Sequence, residues 1–245
     1  EPPFSFINTN MDNQKNNGIW NCEVGKSVYH FDKNIQDKPG DCFNILGRFE
    51  GDWSKEIRII ETPLDQFIED KSNNDEIKFK CILASKGELH AKSKSYECFN
   101  IFDEIESKFP KLNAIANYFH LDQMSGGMPV KRLLLQSSGQ MYNLHIDQLW
   151  EQSERPKDIV RITVMLEDWC PGQFFMYGNC IYQDWKAGEI HIFDWANVPH
   201  VTANASNKMR PNLQLTGLAT NKTRELLAAM NKDTVISLKD LINET

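Results

Sequence analysis

The run His145-Ile146-Asp147, followed much later by Pro199-His200 and then by Arg210, holds the side chains that oxygen chemistry at a metal ion requires. Two imidazoles and one carboxylate bind Fe(II) on one triangular face and leave the other positions open. In an extended strand, side chains i and i+2 point the same way, so His145 and Asp147 reach one ion from a single strand. Arg210, ten positions beyond His200, supplies a fixed fork of donors for a carboxylate. The expected metal ligands are therefore His145, Asp147 and His200, with Arg210 as the anchor of a chelating dicarboxylic acid. His191 is a rival second imidazole, but it stands awkwardly far from Arg210. The structural alternative is a satisfied His145–Asp147 pair on an ordinary β-sandwich.

Such ligands need a rigid frame, and the chain beyond Met124-Ser125-Gly126-Gly127 has the texture of closely spaced strands. Val130–Gln136, Gln140–Asp147, Ile159–Glu167, Gln173–Tyr177, Cys180–Trp185, Glu189–Phe193, Pro199–Asn204 and Met209–Thr216 are short, rich in β-branched or aromatic residues, and divided by turn residues. Eight strands at this spacing predict a sandwich or jelly roll. Alternation then assigns faces. Met141, Asn143, His145 and Asp147 are expected on one side of their strand, with Tyr142, Leu144 and Ile146 on the other. Arg210, Asn212, Gln214 and Thr216 share a face opposite Leu213 and Leu215. A polar face on a buried strand is costly unless partners meet it, and a metal with a charged cosubstrate would do so. Arg161, in the alternating set Arg161, Thr163, Met165 and Glu167, is a candidate for a second carboxylate or the substrate. Gln136, Tyr142, Asn143 and Thr216 are further candidate donors to cosubstrate or substrate. Trp150, Trp169, Trp185 and Trp195 read as an aromatic wall or as core and lid packing. His30, His90 and His120 have no partner pattern.

The first part of the chain is polar and punctuated, with Asn and Asp clusters at Asn8–Asn17 and Asp70–Asp75. Strand-like pieces fall at Ser27–Phe31 and Ile77–Leu83, and Ile101–Tyr118 reads as a helix broken or kinked near Pro110. The tail, Lys222–Met230 and Ser237–Ile242, reads as covering helices. The expected organisation is an α+β N-terminal region (1–125) packed on a β core (126–220), closed by C-terminal helices (221–245). The 245 residues suffice for a sizeable core. A net charge of −7 argues against a nucleic-acid backbone as main partner. No apolar run is long enough to span a bilayer, and Glu1-Pro2-Pro3-Phe4 does not resemble a secretion signal. A cytoplasmic protein with reduced thiols is therefore expected, its six cysteines (Cys22, Cys42, Cys81, Cys98, Cys170 and Cys180) forming no C-x-x-C pair.

From Gln136 to Thr216 the chain resembles the catalytic core of Fe(II)/2-oxoglutarate-dependent dioxygenases. Their pattern of H-x-D/E, a long spacer, a second His and a later Arg or Lys is matched by His145-Ile146-Asp147, His200 and Arg210. Gly188–Trp195, Pro199-His200 and Val160-Arg161-Ile162 are also similar to the aspartyl/asparaginyl β-hydroxylase branch, in which the strand Arg helps to bind 2-oxoglutarate. That branch lacks the metal-binding carboxylate, whereas Asp147 is present here. The resemblance implies a mainly β fold with flanking α: a double-stranded β-helix (jelly-roll, cupin-like) core plus the N-terminal region. It implies Fe(II) as cofactor and 2-oxoglutarate as cosubstrate, decarboxylated to succinate and carbon dioxide while a substrate is hydroxylated. An amino-acid side chain, free or in a polypeptide, is the leading substrate class, with small molecules close behind. The alternatives are a cupin-like metalloenzyme without 2-oxoglutarate and a non-catalytic jelly-roll binding module. Oligomeric state stays open.

Overall fold

The computed structural model describes residues 20–23, 26–29, 42–61, 97–101, 109–126, 130–136, 138–149 and 153–243. In chain order these form β1 (Trp20–Glu23), β2 (Lys26–Tyr29), β3 (Phe43–Glu50), α1 (Ser54–Glu61), β4 (Glu97–Ile101), α2 (Pro110–Asn117) and β5 (Leu121–Asp122). Then come β6 (Lys131–Gln136), β7 (Gln140–His145), β8 (Ile159–Met165), β9 (Gln173–Tyr177), β10 (Cys180–Tyr182), β11 (Glu189–Phe193), β12 (His200–Asn204) and β13 (Arg210–Ala219). The chain continues through α3 (Asn221–Ala229), β14 (Val235–Ser237) and α4 (Leu238–Asn243). The expected strand Ile77–Leu83, the Asn and Asp clusters, His30, His90 and Trp150 lie outside the described residues.

Strands from β6 onward pass back and forth between two sheets, which makes the core a double-stranded β-helix. The larger sheet runs β14-β3-β11-β8-β13-β6-β4, with β5 paired to β13, and the smaller runs β10-β9-β12-β7. β14 lies parallel to β3, while the other pairings are antiparallel. The larger sheet thus takes β3, β4 and β5 from ahead of residue 126 and β14 from beyond residue 220. β1 and β2 form a separate hairpin.

Each face of the larger sheet buries its own apolar set. Leu133, Leu135, Ile162, Val164, Ile190, Ile192, Leu213 and Leu215 point to the side covered by α1, α2, α3 and α4, through Ile57, Leu112, Ile115, Leu227 and Leu238. Full burial of each such side chain contributes about 1.5–3 kcal/mol. Between the sheets lies a second, aromatic set that includes Phe175, Tyr177, Tyr182, Trp185, Phe193 and Trp195. Helix α2 begins at Pro110 instead of kinking there, because the fixed φ and missing N–H of proline suit a first helical turn. Both Glu56 carboxylate oxygens accept from its first amides, Lys111 N and Leu112 N, at 2.9 Å each. Ile101 closes β4 and belongs to no helix, and residues 102–108 lie outside the described set.

Two bulges interrupt the alternation that the sequence suggests. In β3 the register against β11 shifts between Ile190 and His191, so Ile45 faces between the sheets while Phe49 faces the helices. Gly47 beside this shift has φ +118°, and a Cβ there would meet Thr234 O at 2.3 Å, so only glycine fits. In β7 the register against β12 pairs His145 with His200 but Tyr142 with Thr202, so two β7 residues, Asn143 and Leu144, stand opposite Val201. The face shared by Met141, Asn143, His145 and Asp147 therefore does not exist. The bulge turns His145 onto the side of Tyr142, and leaves Met141 and Asn143 exposed.

Candidate metal centre

Three strands of the smaller sheet place their inward side chains in rows. His200 stands opposite Tyr177 and His145, Thr202 opposite Phe175 and Tyr142, and Asn204 opposite Gln173 and Gln140. The first row carries the imidazoles. Asp147 lies just past the end of β7, and one ligand atom from each of His145, Asp147 and His200 fits within 4.8 Å of the others. His145 Nε2 is 3.5 Å from Asp147 Oδ1, and His200 Nε2 is 3.7 Å from Asp147 Oδ2. The His145 and His200 ring centroids are 4.1 Å apart.

The other ring nitrogens decide the tautomers. His145 Nδ1 lies 2.7 Å from Asn143 O, and His200 Nδ1 lies 3.3 Å from Val198 O. A carbonyl only accepts, so each Nδ1 carries a proton and each Nε2 is turned to the shared point. Burial pulls His200 down to about 3 against the opposing pull of Asp147, so the ring is neutral and ready to ligate. Burial alone would raise the Asp147 carboxyl. The Arg161 guanidinium, foremost, with the neighbouring His200 and His145 rings, instead holds it well below the usual carboxylate range. The donor set of two imidazoles and one carboxylate suits a divalent transition metal such as Fe(II).

A buried polar cluster adjoins the ligand row on the inner face. Arg210, 3% exposed at the start of β13, pairs in register with Gln136 and packs its guanidinium 4.0 Å over the Phe175 ring. Its Nη1 donates to Phe174 O at 3.0 Å, and its Nη2 donates to the Thr202 hydroxyl. Gln136 donates to Thr202 O at 3.2 Å and accepts from Thr202 Oγ1 at 3.4 Å. Thr202 is two residues along β12 from His200, a rise of about 6.6 Å. The guanidinium therefore sits about one strand repeat from the metal row.

Among the described residues, four buried polar atoms lack a hydrogen-bond partner: Arg210 Nε, Asn212 Oδ1, His191 Nδ1 and Trp185 Nε1. Left unmet, such atoms cost about 1–3 kcal/mol each. Three of them surround one ring, with Phe175 lying 5.8 Å from Trp185 and 5.5 Å from His191 and beneath Arg210. Burial, aided by the Arg210 charge, drives His191 down to about 3, so it is neutral. Burial likewise pulls the Arg210 guanidinium down to about 9.

The candidate residues are thus distributed unevenly. His145, Asp147 and His200 converge, and Arg210 with Gln136 lines the adjoining pocket. Tyr142 faces inward with its ring 4.3 Å from that of His145. Asn143 touches the centre only through its backbone carbonyl, since its side chain is exposed on the bulge. Arg161 is ion-paired with Asp147, and its Nε donates to Thr216 Oγ1 at 3.1 Å. His191, the rival imidazole, is bonded through Nε2 to the Tyr177 hydroxyl at 2.7 Å and stands outside the ligand group. Trp185 and Trp195 pack between the sheets, Trp195 donating to Ile159 O and the half-buried Trp169 to Gln173 O. His191, Trp185 and Asn212, read from the sequence as a rival ligand, an aromatic wall or core residue and a member of the polar face, meet around Arg210 and Phe175. Alternation along β11 and β13 was the available signal for His191 and Asn212. Among the described cysteines Cys42, Cys170 and Cys180 form no disulfide, and among the described residues no helix is long and apolar enough to cross a membrane.

No family model matches the chain, and no curated protein matches it. Solved structures do show similarity. A prolyl-4-hydroxylase from Pseudomonas putida shares 14% identity at a TM-score of 0.43, covering 76% of this chain and 97% of its own. A predicted oxalate decarboxylase from Thermotoga maritima shares 15% identity at a TM-score of 0.31, covering 50% of this chain and 80% of its own. An oxidoreductase of the 2OG-Fe(II) oxygenase family from Burkholderia pseudomallei shares 14% identity at a TM-score of 0.30, covering 37% and 44%. Likenesses this distant carry no activity across.

Proposed function

We propose that the protein is an Fe(II)- and 2-oxoglutarate-dependent oxygenase. The observation that carries this reading is the juxtaposition of a three-ligand group with a buried, incompletely bonded guanidinium about one strand repeat away. His145, Asp147 and His200 would hold the ion by one atom each, which would leave positions open for a chelating oxo-acid. Arg210 would meet the remote carboxylate of that acid through Nε, with Phe174 O and Thr202, itself held by Gln136, fixing the guanidinium. The iron, when bound, supplies the reactivity toward dioxygen that the side chains themselves lack. The aromatic packing of Phe175, Tyr177, Phe193 and Trp185 keeps bulk water from the interior. Residues 126–220 are the catalytic unit in this reading, and the substrate is an amino-acid side chain, free or in a polypeptide, or another small molecule.

One observation favours a second reading, a cupin-like metalloenzyme that uses no 2-oxoglutarate. Both outer nitrogens of Arg210 already donate to the protein, at Phe174 O and at Thr202, and leave Nε as the unmet donor. A single experiment separates the two. Metal-stripped protein is titrated anaerobically with Fe(II) and then with 2-oxoglutarate, and the weak visible charge-transfer band of the chelate is followed. The oxygenase reading expects the band with the natural sequence and its loss in Arg210→Ala. Bound Fe(II) without any band selects the cupin-like enzyme, and no bound metal defeats both.

A further inference from the structure

We propose that Arg161 is a positioning residue that holds Asp147 as a one-oxygen ligand, and that Thr216 fixes the guanidinium for that task. The inference rests on the metal-binding reading above. Each imidazole ligand sits on a paired strand, and each is clamped by a backbone carbonyl through Nδ1. Asp147 has neither support. The β7 ladder ends at His145, and residues 146–149 belong to no strand. A carboxylate in such a segment would turn freely about its side-chain bonds unless a side chain held it.

Arg161 supplies that hold from β8, which lies inside the larger sheet between β11 and β13. Its Nη1 bonds Asp147 Oδ2, and its Nε donates to Thr216 Oγ1, the residue directly opposite it on β13. Arg161 is 5% exposed and Thr216 is fully buried, so water does not compete for either contact. Oδ2, on the side of His200 Nε2, is engaged by Arg161, so Oδ1, 3.5 Å from His145 Nε2, is the oxygen with its lone pairs left for an ion. A carboxylate that ligated through both oxygens would close a position that a chelating cosubstrate needs. Arg161 is thus committed differently from Arg210. Two of its three nitrogens serve Asp147 and Thr216, whereas Arg210 keeps an unmet Nε in the pocket.

Removing the charge would alter the electrostatics beside the ion as well as the geometry, so the diagnostic variants keep the guanidinium or replace it with an ammonium. Thr216→Val preserves Arg161 but deletes its acceptor. Arg161→Lys preserves the charge but cannot span both partners. Mn(II), which is redox-silent here, is titrated into the metal-stripped full chain, and 2-oxoglutarate is then titrated into the Mn(II)-saturated protein. The expected result is metal binding weakened about 10-fold or more in both variants, the usual consequence of losing a partner behind a ligand. Affinity for 2-oxoglutarate at saturating metal stays essentially unchanged. Unaltered metal affinity in Thr216→Val overturns the proposal. So does a loss of 2-oxoglutarate affinity alone, which would make Arg161 a direct contact of the cosubstrate. Should Arg161→Lys fail to fold, Thr216→Val decides by itself. Absence of Mn(II) binding in the natural sequence would instead defeat the oxygenase reading.

Discussion

Buried polar residues gather in two groups between the sheets, one at an end of the smaller sheet and one around Arg210 of the larger sheet, and the two groups behave differently. At the end remote from the metal row, Gln173, Asn204 and Ser206 are each 5% exposed or less. Asn204 Nδ2 donates to Gln136 O and Lys208 O at 2.7 Å each, and its Oδ1 accepts from Ser206 Oγ at 2.6 Å and Ser206 N at 3.1 Å. Gln173 Nε2 donates to Ser206 Oγ at 3.1 Å. This network closes on itself. The pocket around Arg210 is buried to the same degree, yet Arg210, Asn212, His191 and Trp185 each retain an atom with no partner. Burial and polarity alone do not distinguish a site from a plug. Unmet hydrogen bonding does, since native interiors satisfy nearly all such groups.

The largest expected effect lies in the plug. Asn204→Ala takes the side-chain partner from Gln136 O and from Ser206 N, while Lys208 O keeps Ser206 Oγ at 3.1 Å, and the cost should be about 2–4 kcal/mol, from more than one stranded group at about 1–3 kcal/mol each. Urea denaturation reads this directly. A loss below about 0.5 kcal/mol, the range of an ordinary surface substitution, would remove the contrast between the two regions.

The next effect lies in the pocket and reverses the sign. A ligand that binds only the folded state stabilises it by about 2.7 kcal/mol at a hundredfold excess over Kd. Mn(II) with 2-oxoglutarate should therefore raise the unfolding temperature of the natural sequence beyond the rise given by Mn(II) alone. Arg210→Met should keep the metal increment and lose the dicarboxylate increment. An undiminished dicarboxylate increment in Arg210→Met would mean that the unmet atoms serve another ligand.

The sequence exposes the frame of this contrast more readily than the contrast itself. β9 and β11 fall where alternation and punctuation put them, at Gln173–Tyr177 and Glu189–Phe193, because Gly172, Gly178 and Gly188 bracket them with positive φ. His145, Asp147, His200 and Arg210 are legible from residue type and spacing. The inward side of β7 is not, because nothing in Met141–Leu144 signals the extra residue that turns Tyr142 and His145 onto one face. The pairing of β14 with β3 joins residues from opposite ends of the chain, which local patterns do not report. Arg161 reads equally well as a cosubstrate anchor until its distance to Asp147 and Thr216 is known. Likewise Asn204 and Asn212 look alike as inward polar residues on neighbouring strands, and only their partners tell plug from pocket.

The smallest structural perturbation gives the sharpest test. Trp185 is 1% exposed, packs at 5.3 Å from Tyr182 and 5.8 Å from Phe175, and has an unpaired indole N–H. Trp185→Phe deletes that donor and keeps an aromatic ring. If the N–H serves only the protein, its removal relieves an unmet group at the expense of some packing, and ligand binding does not change. If it faces the anion held by Arg210, whose guanidinium lies 5.9 Å from the indole, affinity for 2-oxoglutarate falls about 10-fold, the worth of one charge-assisted hydrogen bond. The Mn(II) affinity then stays constant, because Trp185 touches no metal ligand among its ring contacts. Isothermal titration of both ligands distinguishes these outcomes. A Trp185→Phe protein with unchanged 2-oxoglutarate affinity would return this side chain to the core, and leave Arg210 Nε as the pocket's contact to the carboxylate.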